Sequence, residues 1–69
     1  MSTVIRLGQF LKLAGLVEDG AMARVLIQGG DVLVNGVVET RRGRQLSHDD
    51  MIEVDSPTGR AGARIHVID

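Results

Sequence analysis

The sequence has no cysteine, no tryptophan, no tyrosine and one phenylalanine, Phe10, among its 69 residues. Without cysteine, neither a disulfide nor a thiolate metal site can staple so small a chain. The interior therefore has to be Leu, Ile, Val, Ala and Met packed closely, and hydrophobic residues do make up 43% of the chain. Long apolar runs are also missing. Arg6, Gln9 and Lys12 interrupt the most apolar stretch, "VIRLGQFLKLAGLV", so neither a signal peptide nor a membrane span fits and a cytoplasmic protein is expected. A chain of this length is expected to be a single domain with no separate catalytic unit beside it.

What is present first is helical periodicity. Leu7, Phe10, Leu11 and Ala14 fall at i, i+3, i+4 and i+7, which predicts a first helix around residues 8–15 that stops at Gly15. Asp19 is placed to cap a second helix through "GAMARVLIQ", with Met22, Val25 and Leu26 on its packed side and Gly29-Gly30 at its end. The period then changes to alternation. "DVLVNGVVET" places valines on both sides of Asn35-Gly36, the pair suited to a two-residue hairpin turn in which both central residues need positive φ. Further strands are expected at "MIEV" and "ARIHVI", pairing as a hairpin across a loose turn at "SPTGRAG". The fold class is α+β: two N-terminal helices packed on a small, mostly antiparallel sheet.

Little here can carry catalysis. His48, Asp49 and Asp50 have the residue types of a metal or acid–base site, but neighbours in a polar loop rarely converge on one point. His66 alternates with Ile65 and Val67 and should point away from the core. Gly29-Gly30 ends a helix instead of opening one, so no nucleotide phosphate loop is present. An enzyme is not expected, and no cofactor or metal is implied.

The charge is unevenly placed. Residues 1 to 44 carry six cationic and four anionic side chains, residues 45 to 69 two against five, for a formal net charge of −1. Local field, not the chain total, attracts a polyanion. "ETRRGRQL" gathers Arg41, Arg42 and Arg44 in one short turn. Two readings stand: a solvated turn whose charges pair with Glu39, Asp49 or Asp50, or a phosphate grip in which Gly43 lets the backbone turn sharply and three guanidinium groups splay toward one polyanion. Seven of the eight cationic residues are arginine, whose planar fork matches phosphate.

Together "IRLGQFLKLAGL", "AMARVLIQGGDVLVNG" and "LSHDDMIEV" resemble the S4 RNA-binding domain, the αL motif, over roughly residues 4 to 54, with a C-terminal turn and strand over 55–69. "LGQFLKLAGLVEDG" and "ETRRGRQL" further resemble small stand-alone bacterial S4-like proteins of the YbcJ and YaaA type. The resemblance implies that Arg6, Arg24 and the start of the second helix line a face toward the RNA backbone, with the basic hairpin segment beside it. Two departures stand out. Asp19-Gly20 occupies the region where the family typically has Ser-Arg, and His48 or Asp49 replaces a glycine that usually precedes the acid kept here as Asp50.

The candidate RNA-binding residues are therefore Arg6, Gln9, Lys12, Arg24, Asn35, Arg41, Arg42 and Arg44. Lys12 lies about two turns from Arg6 and off its line. Gln9 either meets a phosphate or ribose or solvates its helix. Asn35 is accounted for by its turn, and Phe10 by the core. With no Trp or Tyr to stack on, docking by phosphate position on a structured ribosomal or transfer RNA is expected over base reading. The alternative is a protein-interaction module that docks on ribosomal or RNA-processing proteins; a monomer is expected in either case.

Overall fold

The computed structural model describes residues 5–56 and 59–66. Its elements are β1 (Ile5–Arg6), α1 (Leu7–Leu13), α2 (Gly20–Gln28), β2 (Val32–Val34), β3 (Val37–Val38), β4 (Gln45–Leu46), β5 (Met51–Ser56) and β6 (Gly59–Arg64). β1 pairs with β4, and the other strands form a sheet in the order β3-β2-β5-β6, every pairing antiparallel. The expected α+β arrangement is present.

Both helices end in the same way. Gly15 and Gly30 take positive φ, 71° and 82°. Leu16 N–H then reaches Leu11 O (3.0 Å) and Gly15 N–H reaches Lys12 O (3.1 Å), while Asp31 and Gly30 repeat the pattern on Leu26 and Ile27. Each end is thus a Schellman motif, in which a glycine in the left-handed region satisfies the last helical carbonyls. Asp19 opens α2 as expected, its Oδ1 accepting from Met22 N–H at 2.8 Å.

The buried faces differ in part from the expected ones. Leu7, Phe10 and Leu11 are in the core, but Ala14, expected to continue their line, caps α1 in the open. On α2 the buried residues are Ala23 and Ile27, with Leu26 half-buried, whereas Met22 and Val25 are exposed. The segment from Ala21 to Ile27 is apolar except for Arg24, so periodicity does not pick out one face. Contact with α1 does, and the small Ala23 is the residue that allows close approach. The core closes around Val17, Val32, Val34, Leu46, Ile52, Val54 and Ile65. Methionine contributes little: Met22 is exposed and Met51 only half-buried.

Asn35 (φ 54°) and Gly36 (φ 82°) form the expected hairpin turn, with Val34 opposite Val37. β5 and β6 form the expected second hairpin, but the last strand lies earlier than "ARIHVI" suggests. It runs over Gly59–Arg64, so most of "SPTGRAG" is ladder, not loose turn; residues 57 and 58 lie outside the described residues. Six consecutive pairs with β5, from Met51↔Arg64 to Ser56↔Gly59, outweigh the local preference of two glycines against a strand. Ile65 follows the strand and is fixed in the core by Ile65 N–H to Asp50 O (2.8 Å) and Asp49 N–H to Ile65 O (3.0 Å). His66 is exposed just beyond the strand, and Val67 lies outside the described residues.

Candidate nucleic-acid interface

The first turn of a helix leaves amides without helical partners. At α1 no side chain fills that role: Arg6 is the N-cap and its side chain makes no capping bond. The arginine turn supplies the acceptors instead. Leu7 N–H donates to Arg44 O (2.9 Å) and Gly8 N–H to Arg42 O (3.0 Å). Arg6 Nη1 donates to Gly43 O (3.0 Å), and β1 holds β4 through Ile5↔Leu46 and Arg6↔Gln45. These contacts place the turn at the positive end of the α1 dipole and fix it there. Gly43 is not among the residues with positive φ. The chain does turn sharply here, Arg44 N–H donating to Arg41 O at 3.2 Å, but the turn needs no left-handed residue, and the Gly43 carbonyl accepts from Arg6.

Docking the turn on α1 creates a cleft of about 430 Å³, lined by Arg6, Gly8, Gln9, Lys12, Gly20, Ala23, Arg42 and Gly43. Glycines and an alanine form much of its wall. Arg42 lies across Gly8 so closely that a Cβ there would come within 2.6 Å of its Cγ. Three cations ring this space and no carboxylate lines it. Asp19, the acid expected near this face, spends its side chain on the α2 cap. Neither Lys12 nor Arg42 forms an ion pair among the described residues.

The expected site residues are therefore only partly brought together. Arg6, Gln9, Lys12 and Arg42 meet at the cleft. Lys12 joins Arg6 although helical spacing places them on different lines, because Arg6 precedes the helix in extended conformation (φ −98°, ψ 155°) and its side chain follows β4. Arg24 is exposed on α2 and does not line the cleft.

Arg41 and Arg44 face another way, so the three guanidinium groups of the turn do not splay toward one point. Glu39 Oε2 accepts from Arg41 Nε (3.1 Å) and Arg41 N–H (3.2 Å), while Oε1 accepts from Arg41 Nη2 (3.2 Å) and lies 3.1 Å from Arg44 Nε. Pairing with Arg41 holds the Glu39 carboxyl below its ordinary range and raises Arg41 in return. These residues line a second groove of about 290 Å³ with Val34, Asn35, Val37 and Val38.

Asn35 is tied into the fold by more than its turn. Its Nδ2 donates to Asp50 Oδ1 (3.0 Å), its Oδ1 accepts from Met51 N–H (2.9 Å), and its N–H donates to Met51 O (2.7 Å). Asp50 also accepts from Ser47 N–H at 2.8 Å. That bond, then the one from Asn35, lowers the Asp50 pKa. Asp49, at φ 71°, holds the left-handed position before Asp50 that a glycine usually fills in the resembling family.

His48 and His66 are both exposed, with ring centroids 5.1 Å apart and His48 Nε2 3.5 Å from Asp49 Oδ1. Among the described residues, no group of three or more His, Cys, Asp or Glu could hold a metal ion, and no helix is long and apolar enough to cross a membrane. Sequence reasoning missed Gly8, Gly20, Ala23 and Gly43 as the cleft wall, whereas the pairing of the turn's charges with Glu39, one of its two readings, is present for Arg41 and Arg44. The Glu39-x-Arg41 spacing was the one local signal for that pairing, and nothing local marks the wall.

Comparison with known proteins places the family and the fold. Residues 1–61 match the S4 domain family. The chain is 44% identical over 52 residues to the probable ribosome maturation protein RlbA of Bacillus subtilis (strain 168), covering 75% of this chain and 73% of that protein. Its fold superposes on the trimeric structure of Vibrio cholerae Heat Shock Protein 15 with a TM-score of 0.82 at 21% identity, covering 97% of this chain and 67% of the other. With a family match over most of its length and a close relative in sequence, the chain belongs to the S4 domain family of RNA-binding proteins.

Proposed function

We propose that this protein binds structured RNA, ribosomal or transfer, by seating backbone phosphates in the cleft between α1, α2 and the arginine turn. The observation that carries this reading is the convergence of Arg6 and Lys12, at the two ends of α1, with Arg42 of the turn on one cleft lined by no carboxylate. Guanidinium groups can fork a phosphate, Gln9 can donate to a phosphate or ribose, and the opening of α2 at Gly20 adds the positive end of a helix dipole. Arg24 extends the basic surface along α2. The name of the Bacillus relative supports a role in ribosome maturation, and binding, not catalysis, is the activity. The whole chain acts as one domain and as a monomer, which sedimentation of the free protein tests.

The test is affinity for a structured ribosomal RNA fragment across a salt series. Three neutralised phosphates predict a fall of about 40-fold between roughly 50 and 200 mM salt. Arg42→Ala should weaken binding and reduce the log–log slope by about 0.9. Salt-independent binding would refute the reading. The exposed Leu13, Met22 and Val25 favour a second one, docking on a ribosomal or RNA-processing protein. Recovery of a ribosomal protein that stays bound after nuclease treatment, with no affinity for the naked RNA, would select it.

A further inference from the structure

The turn's arginines are prepared for different tasks. Arg42 lies beside the cleft and among the described residues pairs with no carboxylate, so its guanidinium can fork a phosphate. Arg41 has that fork already filled: Nε and Nη2 both donate to Glu39. What Arg41 still offers, with 76% of its side chain exposed, is the flat face of a guanidinium held in a fixed orientation. Glu39 also stands against Arg44, so one carboxylate serves two cations and leaves the groove rim a net single positive charge.

The floor of this second groove is unusual for a phosphate site. Val37 and Val38 line it and are 68% and 53% exposed, on a strand at the sheet edge. Two exposed valine side chains beside a guanidinium plane paired to a carboxylate suit a flat, polarisable ring better than a hydrated anion. The groove and the cleft are lined by neighbouring residues of one turn, Arg41 and Arg44 on the groove and Arg42 and Gly43 on the cleft.

We propose that the groove formed by Val37, Val38, Arg41 and Arg44 is a nucleobase subsite, in which one unpaired base of the bound RNA rests on the valines and stacks on the Arg41 guanidinium. Guanidinium planes serve as base-stacking platforms in RNA recognition, and this chain has no exposed aromatic ring to do so among its Phe, Tyr and Trp residues. Glu39 is the positioning residue that keeps the plane flat. The proposal rests on the phosphate reading of the cleft and adds to it a preference for RNA with an unpaired nucleotide beside a paired stem.

The experiment compares two RNAs, a blunt fully paired duplex and the same duplex with a single bulged 2-aminopurine, at one salt concentration. Native protein should bind the bulged duplex about five- to tenfold more tightly and change the 2-aminopurine fluorescence on binding. Arg41→Lys, which keeps the charge and loses the plane, and the double variant Val37→Ser/Val38→Ser should each lose that preference. The valine variant should keep native affinity for the paired duplex and its salt slope, since no phosphate contact is touched. Arg42→Ala should weaken both RNAs alike and keep the preference. Equal binding of the two RNAs by native protein, or a preference retained in either folded variant, would overturn the subsite while leaving the phosphate reading intact. Absent or salt-independent binding of both RNAs would overturn the phosphate reading and the subsite with it.

Discussion

Gly8→Ala is the substitution that most directly probes how the cleft is built. A Cβ at position 8 would meet Arg42 Cγ at 2.6 Å, Cδ at 3.3 Å and the Arg42 carbonyl oxygen at 3.6 Å. Cγ lies near the root of the side chain, and the Arg42 backbone is held by the Gly8 amide, so the arginine cannot simply slide away. It has to leave its rotamer, which costs about 0.5–1.5 kcal/mol, or swing its guanidinium out of the cleft. Against this, alanine is favoured over glycine by up to about 1 kcal/mol in a helix, and by less so near the start of α1. The single variant should therefore be near neutral or slightly destabilised. In an Arg42→Ala background the clashing Cγ is gone, and the same change should be stabilising. The coupling between the two positions should be about 1 kcal/mol, which in a domain of this size moves the melting temperature by about 4–8 °C. Thermal melts of the four proteins, followed by far-UV circular dichroism, measure it. Gly8→Ala alone should also weaken binding to paired RNA about as much as Arg42→Ala does, in the range of five- to tenfold. Additive stabilities to within about 0.3 kcal/mol, or native RNA affinity in Gly8→Ala, would refute the packing of Arg42 over Gly8 as the basis of the cleft.

Three other outcomes follow from the hairpin end of the fold. Asn35→Ala places a β-carbon side chain without local hydrogen bonding at φ 54° and removes the bonds to Asp50 and Met51, for a loss of roughly 2–3 kcal/mol by urea unfolding. Asp49→Gly relieves a left-handed non-glycine residue and gives up only an exposed contact with His48, so the midpoint should rise by up to about 1 kcal/mol equivalent. The lowered pKa of Asp50 means that its ionised form is favoured by folding. Its contribution is complete above the ordinary aspartate range, near about pH 4, and is lost as pH falls through the lower folded value. Melting temperature should therefore drop on acidification below that range, and Asp50→Asn should flatten the drop while lowering stability at neutral pH.

The local devices were legible because they depend on neighbours in sequence. Asn35-Gly36 is a local turn signal, since few other pairs take positive φ at both positions; Asp19 caps α2 and Gly15 and Gly30 close the helices for similarly local reasons. The two-strand ladder of β1 and β4 was not legible, because two-residue strands carry no periodicity, and it is this ladder that brings Arg6 to the turn. The α2 face and the extent of β6 were misjudged where a long-range partner overruled a local preference.

The same division runs through the candidate site. Composition and spacing determined that the chain is an α+β unit and that phosphate-suited arginines crowd one turn, because both are properties of short stretches; the S4 reading came from the resemblance of its motifs to that family. Only the tertiary structure decided which cations act together. Arg42 is drawn to Arg6 and Lys12 by the carbonyls that cap α1, while Arg41 and Arg44 are held on the other side by Glu39. Charge count is additive along a chain, but a binding site depends on direction, and Arg42 is turned to the cleft by backbone hydrogen bonds between residues some 35 positions apart.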